Sequence, residues 1–146
     1  MKGDEGMRKI KFRAKRLDNG KWVFGVPIPN SYGDRVFFIP LLLTDKIAYP
    51  FERLVDWVVE VMPETIGQYT GLKDKNGVEI YESDIVFDRW VNEYTPVFQN
   101  GIYMAYNPKN LMQNDPSTQF DIIWKDGCEV IGNIYETPEL LETKKD

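Results

Sequence analysis

"YTGLKDKNGVEIYESDIV", residues 69–86, carries two β-prone runs on either side of Asp74-Lys75-Asn76-Gly77. Asn and Gly accept positive φ at little cost, and Asp and Asn side chains bond to the backbone of the bends they occupy. The stretch therefore reads as strand, turn, strand, with a second kink at Glu82-Ser83-Asp84. Four acids crowd the bend: Asp74, Glu79, Glu82 and Asp84. They are oxygen donors of the kind calcium and magnesium take, so a metal-dependent hydrolase built on them is one alternative. Their order lacks the alternating positions and closing Glu of an EF-hand loop, and Lys73 and Lys75 sit among them. The bend reads as architecture, with no metal or cofactor expected.

Outward from this hairpin the signals repeat. Ile10, Phe12 and Ala14 alternate with Lys9, Lys11, Arg13 and Lys15, the period-two pattern of a half-buried strand. Asn19-Gly20 marks a hairpin, and "KWVFGVPI" is its return strand, with Trp22, Phe24, Val26 and Ile28 alternating and Trp22 and Phe24 expected in the core. "VFFIPLL" and "WVVEVM" read as further strands, and Asn100-Gly101 is the centre of a candidate hairpin. "FDIIWKDGCEVIGNIYE" reads as strand, Asp126-Gly127 turn, strand. "TPELLE" closes the chain as a short helix, with Thr137 as N-cap and Pro138 in the first turn. Residues 30–58 and 88–119 are the least legible. The expected core is Ile10, Phe12, Trp22, Phe24, Ile66, Tyr69, Ile80, Ile85, Ile123, Trp124, Val130 and Ile134.

Composition narrows the function classes. The chain of 146 residues contains no histidine, which removes the commonest general base, the commonest metal ligand and every Ser-His or Cys-His dyad. Its one cysteine, Cys128, lies in an apolar run and reads as a small buried hydrophobe. Gly67 and Gly71 lack the Gly-Lys-Ser/Thr that a phosphate loop requires. No apolar run approaches the roughly 20 residues of a membrane-spanning helix, and the N-terminus has no secretory pattern, so a cytoplasmic setting without membrane contact is expected.

The net charge of −5 is unevenly placed: residues 1–22 hold eight Lys/Arg and three Asp/Glu, the remainder ten and twenty. On a regular strand, Lys9, Lys11, Arg13 and Lys15 project from one face about 6–7 Å apart and form the candidate macromolecule contact. Three readings stay open for them: a solvated edge strand guarded by lysines, a contact with an acidic protein surface or second subunit, and a phosphate-binding stripe for nucleic acid. Trp22 and Phe24 would stack on bases only if they shared that face. The eighteen basic residues dilute the overall acidity too far for a DNA mimic.

At "QYTGLKDKNGVEIYESDIV" the chain strongly resembles the YopX family, small proteins of phages and prophage regions. "RKIKFRAKRLDNGKWVFG" resembles the family's start and "CEVIGNIYETPELL" its end. The resemblance implies a phage or prophage origin and life inside a bacterial host, and it brings no known activity. The family usually has Gly between Glu82 and Asp84; Ser83 stands there, which implies strain or a different turn if that position takes positive φ.

The expectation is thus a mostly-β, barrel-like antiparallel domain over residues 7–146, with a short C-terminal helix and a flexible lead-in at 1–6. Functionally it is a non-enzymatic accessory protein, a binding or self-assembling module. Its expected partners are its own copies and a phage or host protein, with nucleic acid as the alternative.

Overall fold

The computed structural model describes residues 9–28, 34–40, 56–109, 116–137 and 139. The chain divides into two compact units, Met1–Tyr69 and Thr70–Asp146.

The first unit is built on β1 (Phe12–Lys15), β2 (Trp22–Ile28), β3 (Val36–Pro40), β4 (Val59–Val61) and the start of β5 (Gly67–Lys73). They form an antiparallel sheet in the order β4-β3-β2-β1-β5. The expected turn joins β1 to β2: Gly20 has φ +72, and Asn19 Oδ1 accepts the Lys21 N–H at 2.9 Å. Ala14, Val23, Phe38 and Val61 are buried together, with Phe12, Val36, Val59 and Ile66 packed against them. A 3-10 turn over Pro63–Thr65 seats Thr65, whose hydroxyl accepts the Lys15 N–H at 2.8 Å and donates to the Met62 carbonyl at 2.7 Å.

Two expectations fail in this sheet. The first concerns β2. Its register pairs Ala14 with Val23 and Arg13 with Phe24, and directly opposed residues share a face. Val23 and Gly25 therefore point inward, while Trp22 and Phe24 stand on the side of Arg13. The run "WVFGVPI" is apolar in both parities, so apolarity alone does not choose between them. Packing does: a Cβ at Gly25 would collide with the Ile39 carbonyl oxygen, and no bulky residue fits there. Phe24 is accordingly 41% exposed, and Ile10, which precedes the strand, is 62% exposed. The second failure concerns β1, which is no edge: it pairs with β2 on one side and β5 on the other.

The second unit begins within β5, whose far half folds back onto β6 (Glu79–Tyr81). Its main sheet comprises β7 (Asp84–Asp88), β8 (Glu93–Gln99), β9 (Ile102–Tyr106), β10 (Thr118–Gln119) and β11 (Cys128–Asn133), in the order β10-β9-β8-β7-β11. The Asn100-Gly101 hairpin is present, with φ +54 and +86 at its centre. Ile80, Val86, Ala105, Phe120 and Cys128 form the core, and Leu72, Ile123, Trp124 and Val130 pack on it.

"FDIIWK" is not a strand but the short helix α1 (Phe120–Lys125). Phe120, Ile123 and Trp124 lie at i, i+3 and i+4, the helical spacing that brings three apolar side chains to one face. Phe120 is fully buried, whereas Ile122 on the other side is 50% exposed. The Trp124 indole N–H donates to the Lys73 carbonyl at 2.7 Å, which ties the helix to the end of β5.

The chain is thus mostly β, antiparallel, with one short helix in its C-terminal part. The barrel-like expectation needs correcting: the sheets stay open, because β1 pairs with β2 and β5 whereas the last strand, β11, pairs with β7. The helix expected at "TPELLE" and the lead-in at 1–6 lie outside the described residues, apart from Thr137 and Glu139. Thr137 closes the end of β11, accepting the Asn133 N–H at 2.8 Å and donating to the Asn133 carbonyl at 2.7 Å.

Candidate functional site

In the crowded bend the two aspartates, Asp74 and Asp84, serve the backbone. Asp74 is buried; its Oδ1 accepts the N–H groups of Asn76 and Val78 at 2.8 and 2.9 Å, and its Oδ2 accepts that of Val130 at 2.9 Å. The Lys75 N–H donates to the Cys128 carbonyl at 3.0 Å. One side chain therefore closes the β5–β6 turn and fastens it to β11. Burial works to raise the Asp74 pKa, but the hydrogen bonds from Val130, Val78 and Asn76, helped by the Lys75 charge, outweigh it and hold the carboxyl below its ordinary range.

Asp84 is buried as well and accepts the Tyr81 N–H at 2.8 Å. Between them Ser83 takes φ +74, the left-handed conformation in which a side chain is strained. Glu79 accepts a bond from the Tyr81 hydroxyl at 3.3 Å. Asp74, Glu79, Glu82 and Asp84 are not gathered round a common point: among the described residues no group of three or more His, Cys, Asp or Glu is placed to hold a metal ion. Nearby, burial and the Asp74 charge push the Cys128 thiol up to about 11, so the thiol stays protonated in the core.

The first sheet presents a different arrangement. Arg13 and Lys15 lie on the face of β1 turned away from the Ala14 and Val23 cluster, opposite Phe24 and Trp22. Lys11 lies one pair beyond, where its carbonyl accepts the Tyr69 N–H at 2.8 Å, and its ammonium is 5.2 Å from the Tyr69 ring centre. The Arg13 guanidinium lies 4.4 Å from the Trp22 ring centre and the Lys15 ammonium 5.4 Å from it. A cation over an aromatic face gains about 0.5–1 kcal/mol at an exposed position and more when water is excluded. Arg13 is buried, so it holds Trp22 in place rather than reaching into solvent. Lys11, Lys15 and Trp22 are half-buried and Phe24 is exposed. Lys9 is exposed but lies ahead of the strand, so the pleat does not set its face.

Of the four expected contact residues, the sheet brings Lys11, Arg13 and Lys15 together. Trp22 and Phe24 join them, having been assigned to the core from the sequence. The signal that would have found them is the small residue Gly25 in their strand, which marks the inward parity.

Elsewhere, a concavity of about 310 Å³ in the second unit is lined by Asn92, Glu93, Tyr94, Asn107 and Lys109 among others. Burial and then the Asp88 charge raise the Tyr94 pKa, which keeps its phenol protonated. No helix among the described residues is long and apolar enough to cross a membrane.

Among solved structures the chain is similar to the crystal structure of protein EF1440 from Enterococcus faecalis, at 27% identity and a TM-score of 0.53, over 93% of this chain and 100% of that one. No curated protein matches it. The family model described as YopX protein matches residues 11–142, from the basic strand through the Asp74 bend and beyond β11. The chain belongs to the YopX family.

Proposed function

We propose that this protein is a non-catalytic binding module that holds nucleic acid on the face of its first sheet that carries Lys11 and Lys15, inside a bacterial cell that carries the phage or prophage the family resemblance implies. One observation carries the reading. Lys11, Arg13 and Lys15 share a face with Trp22 and Phe24 on a strand paired along both sides. Lysines that guard a sheet edge have no task on an interior strand, so the edge-protection account of the stripe lapses. A sheet face on which half-buried Lys11 and Lys15 lie beside the rings of Trp22 and Phe24 suits a ligand with negative charge and planar groups.

The test is fluorescence anisotropy with labelled oligonucleotides across a salt series. Binding is expected to fall steeply between about 50 and 200 mM salt. Replacing Lys11 and Lys15 together by Glu is expected to abolish it while the far-UV spectrum stays unchanged. Undiminished binding by that double variant, or no binding by the native protein at low salt, defeats the reading.

Self-association is the second reading, favoured by the division of charge between the basic residues 1–22 and the acidic remainder. It requires a mass above the monomer in light scattering that returns to monomer as salt rises; a monomer at all concentrations and salts ends it.

A further inference from the structure

We infer that copies of this chain associate head to tail through the second unit. The Arg89-Trp90-Val91 tip at one end of its main sheet enters the apolar hollow beside Phe120 at the other end of that sheet in the next copy. The contact is independent of the nucleic-acid face, and it differs from the charge-driven self-association above in having an apolar anchor.

The tip departs from the hairpins at Asn19-Gly20, Asn76-Gly77 and Asn100-Gly101, which turn on small polar residues that accept positive φ at little cost. Between β7 and β8 the chain instead holds Val91 at φ +66, which strains a β-branched residue. It also leaves Trp90 59% and Val91 65% exposed. Asp88 enforces this conformation: its Oδ1 accepts the N–H groups of Trp90 and Asn92 at 2.9 and 2.8 Å, and its Oδ2 accepts the Asn92 side-chain amide at 3.2 Å. The Arg89 guanidinium lies 4.4 Å from the Trp90 ring centre, and the ring keeps its exposure with that cation in place. Trp and Arg lead among the residues that dominate interfaces, and backbone strain enforced by its surroundings points to the same use.

The hollow is the complement of the tip. It measures about 270 Å³, room for an indole ring, and is lined by Leu72, Ile102, Tyr103, Phe120 and Asp121 among others. Ile102 is 44% exposed, so the hollow opens to solvent. Asp121, which faces Lys125 at 3.7 Å on the surface of α1, offers a carboxylate to the incoming Arg89. An exposed pair of that kind sets orientation more than strength.

The strand β8 separates the two features, running from the tip to the Asn100-Gly101 hairpin, where Ile102 begins β9. Its length puts them on the order of 20 Å apart. A copy does not fill its own hollow, and a knob and a hole on different patches make a heterologous contact that continues from copy to copy.

The experiment is sedimentation velocity of the native protein up to about 1 mM, the range in which a contact anchored on one side chain is populated. The average mass is expected to rise past twice that of the monomer. It is expected to hold as salt rises to about 1 M, where exposed charges are screened. Trp90→Ser removes the ring and keeps the bonds to Asp88, which come from main-chain N–H groups and Asn92. Ile102→Glu places a charge in the hollow at an exposed position. Each variant alone is expected to be monomeric. Mixed in equal amounts they are expected to form a dimer and nothing larger, because one working tip and one working hollow remain. A native protein that stays monomeric, stops at a dimer, or dissociates as salt rises overturns the inference, and none of these outcomes depends on a variant folding. Association undiminished in Trp90→Ser overturns it as well, as does a mixture of the two folded variants that stays monomeric.

Discussion

The β1–β2 hairpin and the β5–β6 hairpin are both turns through Asn-Gly with charged residues close by, yet the two use their charge in opposite ways. At β5–β6 the carboxylate of Asp74 is turned into the protein and takes three backbone N–H groups that would otherwise lack partners. At β1–β2 the cations lie across aromatic rings on a sheet face. The lesson is that local charge density marks no site by itself. What separates scaffold from surface is whether the charged atoms are bonded to the main chain.

That contrast breaks if Asp74 proves dispensable. Asp74→Ala leaves the amides of Asn76, Val78 and Val130 without their acceptor in a buried place, and it is expected to destabilise the fold by about 3 kcal/mol or more in urea titrations. Binding by whatever Asp74→Ala protein remains folded should be unaffected. Full stability with lost binding would turn the bend back into a site.

The pH dependence sharpens the same point. The folded-state pKa of Asp74 is depressed below the unfolded value of about 3.9. The unfolded chain therefore takes up the proton first as pH falls. The Asp74 contribution is fully present above the unfolded pKa and is lost as pH falls through the folded one. Urea midpoints should decline below about pH 4 in the native protein, and less so in Asp74→Asn. Parallel pH curves for the two would refute the assignment.

Ser83 supplies a smaller effect of opposite sign. Its φ of +74 is strained for serine and easy for glycine, so Ser83→Gly is expected to stabilise by about 1 kcal/mol. A destabilised variant would mean that the Ser83 hydroxyl, 3.5 Å from that of Tyr135, matters more than the backbone.

The smallest change is expected at Asp18. It pairs with Arg16 at 2.8 Å in solvent, where the Arg16 hydrogen bond lowers its pKa but water screens the pair. Asp18→Ala should leave the urea midpoint where it was, and a clear shift would show that the β1–β2 turn depends on side-chain charge as the Asp74 turn does.

Legibility from sequence followed the range of the forces involved. The hairpins at Asn19-Gly20 and Asn100-Gly101 were readable because a positive φ at the bend is a property of two residues. Tyr69, Ile80 and Ile85 were correctly placed in the interior from their own apolarity. The helix at Phe120–Lys125 was missed because six residues carry too little periodicity to outweigh their β-prone composition. The face of Trp22 and Phe24 was missed because both parities of β2 are apolar, so the choice passed to the contact between Gly25 and Ile39.

By itself, then, the sequence determined the turns, the antiparallel β character and the family, all of which rest on short-range conformational preference or on direct likeness of residues. Only the tertiary structure decided that β1 is an interior strand, that its cations share a face with two aromatic rings, and that Asp74 and Asp84 of the bend are bonded to backbone. Those outcomes depend on which strand lies beside which and on the room left between them, and chain neighbours carry no record of either.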